Sequence, residues 1–355
     1  MKTLLCFLAC LGASLPALAQ TAPAARDLVK EGTALYDQGQ YDQAIAKYEQ
    51  ALAAEPGNIM AQAELALTYN TLNRHAEAKA VCEKLLKRHP DAGVLAYVSY
   101  GNSLDALGQF KEAEQAYQQG LTKFSDAADA FQLYYNLGIL QATRKQYEQA
   151  TTSFRQAAVR KPNYASAHLS LGVVQLMNQA RIPAILALAR FLLLEPRSAR
   201  AAQQLPLLDK ALTQGVSQTG EKSIRIATTV EDVKAASQNR GKPDDFGLTE
   251  MMLNLGVART TSDKSGASPL VAFSEQFTWL CKSLAQHGAS NQPGFTWNYY
   301  APYFVEMEKK GYLPAFTYLV HSSQPEAQQW LAAHPAETQT FQEWSKAYTW
   351  PVMKL

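Results

Sequence analysis

The sequence predicts an all-α protein: a helix-turn-helix solenoid of five repeats over residues 25–198, followed by a C-terminal helical domain over residues 247–355. Three observations predict it. A 34-residue period places small residues, a larger apolar or aromatic residue and proline at fixed offsets, the mark of stacked supersecondary units. Beyond residue 247, apolar residues recur at helical rather than alternating spacing. The composition, 47% hydrophobic with only 19 Gly and 16 Pro in 355 residues, suits a folded core and excludes a disordered or collagen-like chain.

Residues 1–19 read as a secretory signal: Lys2, an apolar run from Leu4 to Leu15, then Pro16 and Ala17-Leu18-Ala19, with cleavage before Gln20. The run is shorter than the roughly 20 residues of a spanning helix, so no transmembrane segment is expected after cleavage. Phe7-Leu8-Ala9-Cys10 fits a lipobox poorly, and no lipid anchor is expected at Cys10. The expected location is therefore periplasmic or secreted.

The repeats run 25–58, 59–92, 94–127, 131–164 and 165–198. Position 8 holds Gly32, Ala66, Gly101, Gly138 and Gly172; position 20 holds Ala44, Ala78, Ala113, Ala150 and Ala184. Small residues at both places let two antiparallel helices approach closely. Position 24, occupied by Tyr48, Cys82, Tyr117, Phe154 and Leu188, fills the next gap. Position 27 holds Ala51, Leu85, Gly120, Ala157 and Phe191. Position 32 is proline in four units, at Pro56, Pro90, Pro162 and Pro196, where it stops the second helix because it lacks an amide hydrogen. Residues 199–215 suit a capping helix, broken by Pro206, over the last exposed face.

These residues resemble the tetratricopeptide repeat family, of the exported bacterial type, and the C-terminal segment looks like those that follow such repeats in exported bacterial proteins. The resemblance covers residues 25–198, with position 24 departing from an aromatic at Cys82 and Leu188. It implies a non-catalytic scaffold whose first helices line a concave groove for a protein or peptide. Carried over position by position, the groove includes Leu67, Val98, Tyr135, Ile139, Leu169 and Val173, with Met60 and Met177 among further apolar lining. Arg26, Lys30, Asp37, Glu64 and Asp105 bring charge only to the first three repeats. Asn102 and Asn136 stand where family members that grip extended peptides present amides to the ligand backbone, since an amide donates and accepts at once. Local backbone capping is the alternative for both. The carboxylate-clamp variety of the family needs basic residues where Val98, Ser166 and Ser170 stand, so capture of a C-terminal carboxylate in this groove is not expected. Either an external partner or the chain's own C-terminal half covers the apolar lining, because large apolar patches are rarely left bare.

Residues 216–246 read as irregular linker with one short helix near Val230–Ala236. Helical spacing then covers Leu248–Val257, Pro269–Ala285, Asn298–Lys310, Pro314–Val320, Glu326–Ala333 and Glu337–Tyr348. All five tryptophans and 17 of the 35 aromatics lie beyond residue 270, which suits a compact core in a short domain. A ligand- or glycan-stacking surface at Trp297, Tyr299, Tyr300 and Tyr303 is the alternative, as is a domain with enzymatic activity. A third reading is a subunit of a cell-envelope assembly complex.

Catalytic, metal and cofactor sites are not expected. The six histidines show no zinc-protease spacing, and no phosphate-cradling glycine loop or glycine-flanked nucleophilic serine occurs. Cys82 and Cys281 read as packed core residues, with a bridge between them left open. A formal net charge of +2, from 33 Lys+Arg against 31 Asp+Glu, excludes the large basic excess of a nucleic-acid binder.

Overall fold

The computed structural model describes residues 24–220, 223–229, 234, 242–262, 267–288 and 292–353. The expected signal at 1–19 and the expected helix near Val230–Ala236 lie outside them, apart from Lys234. The chain divides into two compact units, Met1–Ala92 and Gly93–Leu355, so the division falls inside the repeat array rather than after it.

The first unit holds α1 (Ala25–Asp37), α2 (Tyr41–Ala54), α3 (Ile59–Thr71) and α4 (His75–Arg88), paired α1 with α2 and α3 with α4. The second unit continues with α5 (Val94–Ala106), α6 (Phe110–Phe124), α7 (Phe131–Thr143), α8 (Tyr147–Arg160), α9 (Ala165–Met177), α10 (Arg181–Leu194) and α11 (Ala199–Thr213). Every repeat is thus one antiparallel helix pair, with bounds within a few residues of the period.

The turn between paired helices is the same in all five repeats. Position 15 has positive φ at Gly39, Asn73, Gly108, Lys145 and Gln179. The next amide then reaches back to close the first helix, as Gln109 N–H does to the Leu104 carbonyl and Gln146 N–H to that of Gln141, at 2.8 and 2.9 Å. This is the left-handed helix end that glycine favours, and Lys145 and Gln179 adopt it at a local cost.

Packing between paired helices follows from positions 8 and 24. A methyl group on Gly32 would sit 2.5 Å from the Tyr48 ring, and one on Gly138 2.7 Å from Phe154. Gly101 lies as tightly under Tyr117, so position 24 rests directly on position 8. Tyr48, Tyr117 and Phe154 are fully buried there.

Pro206 lies inside α11 without breaking it, contrary to expectation. The linker expectation also needs correction. Val216–Gly220 (β1) and Ser223–Ile226 (β2) form an antiparallel hairpin in the register Val216↔Ile226. Pro243-Asp244-Asp245 is likewise an ordered joint: Asp244 accepts from the Thr296 amide at 2.7 Å and pairs with Arg155 of α8 at 2.7 Å.

The remaining helices are α12 (Gly247–Ser262), α13 (Pro269–Gly288), α14 (Phe295–Tyr299), α15 (Ala301–Lys309), α16 (Leu313–Val320), α17 (Pro325–Ala333) and α18 (Pro335–Ala347). Each expected helical stretch is present, with residues 298–310 divided between α14 and α15. One hydrophobic core runs from Phe154 in α8 through α10 to Phe277, Phe316 and Phe341 in α13, α16 and α18. Every residue of α10 from Arg181 to Leu192 is buried.

The close approach at Gly101 gives a direct stability prediction. Gly101→Ala overpacks against Tyr117 and lowers stability by about 1–3 kcal/mol in denaturant titration, outweighing alanine's better helix propensity. Gly57→Ala, where nothing lies within 4 Å, stays within about 0.5 kcal/mol of wild type. Equal stability of the two variants would contradict this packing.

Candidate functional site

The expected groove residues sit on the first helices of the repeats. In the first unit, Leu67 of α3 is half-buried and Met60 is 55% exposed. The Glu64 carboxyl on the same helix is held above the usual range by burial, and secondarily by Asp37. Tyr36 and Thr71 join hydroxyls at 2.9 Å across α1 and α3.

In the second unit, α5, α7 and α9 are neighbours. Tyr135, Ile139, Leu169 and Val173 are half-buried, and Met177 is 57% exposed. The Tyr135 ring is braced by Phe154 and Tyr164, with centroids 5.8 and 5.1 Å away. Val98 departs from its expected role. It is only 5% exposed, so it is buried rather than open lining. Both asparagine amides are half-buried and engaged locally. Asn102 Oδ1 accepts from the Tyr117 hydroxyl at 2.7 Å, and Asn136 Nδ2 donates to the Gln132 carbonyl at 2.8 Å. That leaves the Asn102 Nδ2 and the Asn136 Oδ1 as the groups with which these amides can meet a peptide.

The C-terminal helices meet the repeats mainly on the second-helix side, with one bond to the start of the first helix α9. Tyr299 of α14 donates to the Ala158 carbonyl of α8 at 2.8 Å. Arg155 of α8 lies under the Phe295 ring at 4.9 Å while it pairs with Asp244. Arg181, at the start of α10, donates to the Ala211 and Leu212 carbonyls and to Asn254 of α12, each at 2.7 Å. Ser322, after α16, donates to the Pro196 carbonyl. His168, at the start of α9, bonds the Tyr300 hydroxyl at 2.6 Å and the Pro162 carbonyl at 2.9 Å.

This docking decides between the two readings of the aromatic cluster. Trp297 is 6% exposed, stacks on Phe246 at 4.3 Å and donates from Nε1 to the Asp245 carbonyl. Tyr299, Tyr300 and Tyr303 are fully buried, their hydroxyls engaged by Ala158, His168 and Ser345. The four rings form core, and their faces are not open to a stacking ligand.

The remaining reactive side chains are quenched by burial. Cys82 and Cys281 are both free and buried; burial pushes the Cys82 thiol up to about 12 and raises that of Cys281 well above its ordinary value. Neither is a thiolate near neutral pH. Among the described residues no group of three His, Cys, Asp or Glu is placed to hold a metal ion. No described helix is long and apolar enough to cross a membrane. Sequence reasoning passed over Arg181 and Arg190, both buried in α10. Two arginines in a helix otherwise apolar on every side were the available signal.

Comparison with known proteins agrees with the repeat assignment. A tetratricopeptide-repeat family model matches residues 29–93 and 101–165. A probable UDP-N-acetylglucosamine–peptide N-acetylglucosaminyltransferase SPINDLY of Hordeum vulgare is 28% identical over 141 residues, 38% of this chain and 15% of that protein. A STIP1 homolog of Dictyostelium discoideum is 25% identical over 104 residues, 29% of this chain and 18% of that protein. The chain therefore spans less than a fifth of the length of these curated relatives. A solved thermophilic TPR protein of Thermus thermophilus is 21% identical, covering 53% of this chain and 99% of its own, with a TM-score of 0.46.

His168 makes the docked interface sensitive to acid. Burial, then the nearby Arg190 charge, lowers its pKa to about 3, against about 6.5 in the unfolded chain. The folded state binds fewer protons between those values, so this contribution is complete above pH 6.5 and is lost as pH falls toward 3. Thermal denaturation between pH 7.5 and 5 should show the wild-type midpoint falling more steeply than that of His168→Asn. Parallel slopes would contradict it.

Proposed function

The chain carries tetratricopeptide repeats, and on that premise we propose that it is a non-catalytic, exported scaffold that binds a protein or peptide through the first-helix face of its repeats. One observation carries the reading. The C-terminal helices make their bonds with the repeats at α8, at α10, at the Pro196 carbonyl and at His168 near the start of α9, while Met177, Val173, Leu169, Ile139 and Tyr135 keep exposed surface farther along α7 and α9. Export is supported by Lys2, the apolar run from Leu4 to Leu15 and Ala17-Leu18-Ala19.

The mechanism is burial of apolar surface with few charges to satisfy. Fully covering a side chain such as Met177 or Val173 contributes up to about 1.5–3 kcal/mol, so a handful of contacts suffices for a specific partner. The exposed edge of this face in the second unit is apolar with amide groups beside it, which favours an uncharged segment. Only Asp105 brings a carboxyl to α5, and burial already raises its pKa.

Site-specific photocrosslinking in living cells tests this reading. A benzoylphenylalanine placed at Met177 should form a protein adduct. The same probe at Leu255, an equally exposed apolar position on α12, should not. Adducts at Leu255 and none at Met177 would overturn the assignment of the binding face.

A further inference from the structure

Three arginines of the second unit are wholly or largely removed from water, and they are compensated unequally. Arg155 has the Asp244 carboxylate at 2.7 Å. Arg181 is held by three bonds of 2.7 Å, two of them to the carbonyl end of α11, where the helix dipole favours a cation. Arg190 has neither kind of partner. It is 2% exposed, and its guanidinium reaches Asn163 at 3.0 Å, Ser345 at 3.3 Å and the Pro162 carbonyl at 3.5 Å. Its buried Nε has no hydrogen-bond partner. The Trp350 and Tyr303 rings lie 4.8 and 5.4 Å from it, which softens the charge without neutralising it. Among the described residues no carboxylate forms an ion pair with Arg190. A buried cation without a counter-anion is unfavourable, and an anion delivered beside it recovers that cost.

Arg190 also lines a cavity of about 220 Å³ between α10, α16 and α18. Asn163, Ser345 and the exposed Lys346 stand on its polar side. Leu193, Leu319 and Phe341 supply an apolar wall. The combination has two chemistries at one place: a cationic, donor-rich end and a greasy body of small volume.

We propose that this cavity is a binding site for a small organic carboxylate with a short apolar chain, the carboxylate beside Arg190 and Lys346 and the chain against Leu319 and Phe341. Guanidinium suits a carboxylate because its fixed fork of donors meets two oxygens. The site lies on the second-helix side, so it is independent of the partner-binding face.

Calorimetric titration of the full chain with valerate and with its neutral isostere valeramide tests the proposal. Valerate should bind about tenfold or more tightly than valeramide, the discrimination expected of hydrogen bonds to a charged group. Lys346→Gln, a surface change with no folding burden, should reduce that ratio. Arg190→Gln, if it folds, should erase it. Equal binding of the two compounds by wild type, or a ratio unchanged in Lys346→Gln and Arg190→Gln, would overturn the assignment.

Discussion

The structure of the second unit depends on hiding α10. Ile182, Ile185, Leu186, Leu188, Phe191 and Leu192 point to all sides of this helix, and each is at most 1% exposed. A helix that is apolar all round has no solvent face to offer and must be surrounded. In a repeat stack the neighbouring pair covers only one side of a terminal helix, so the last repeat needs a cap. Here α9 and α11 cover part of α10, and α12 and α16 of the C-terminal domain close the rest. The aromatic density of that domain follows from this double role, because a short chain must supply enough apolar area to cover a helix as well as its own core.

That requirement also decides which surface of the second unit the C-terminal helices cover. Because α10 is a second helix, covering it brings the C-terminal domain to the second-helix side. The aromatic residues that stood out as a possible ligand platform are consumed there, with Tyr299 and Tyr300 bonded across to α8 and α9. The first helices are left with half-buried Tyr135, Ile139, Leu169 and Val173 and exposed Met177. The same docking draws Arg190 out of water between Asn163 and Ser345, which creates an electrostatic need at a cavity edge.

The repeats were legible because their packing imposes a period. A ring at Tyr117 must lie over a residue without a side chain, and Gly101 answers it at a fixed distance in sequence. The C-terminal helices were legible from apolar spacing, and Pro335, at the start of α18, marks a boundary where proline is tolerated. The β1–β2 hairpin was not, since its polar residues Ser217, Gln218 and Thr219 carry no alternation. Lys145 and Gln179 at left-handed turns were hidden because no glycine announced them. Val98 was misplaced because family position describes which way a residue points and not how deeply its neighbours bury it. The fate of Trp297 and the tyrosines depended on tertiary contacts between residues far apart in the chain, which no local pattern encodes.

The central claim is that the last repeat and the C-terminal helices share one core and therefore one opening equilibrium. Hydrogen exchange of the full chain carrying Phe316→Leu measures this directly, because Phe316 is fully buried in α16 and the change removes about 1 kcal/mol without deleting an element. Amides of α10 should lose protection by the same factor as those of α13. Accelerated exchange in α13 and α16 with α10 unchanged would mean that the repeat array stands without its cover, and would contradict the account.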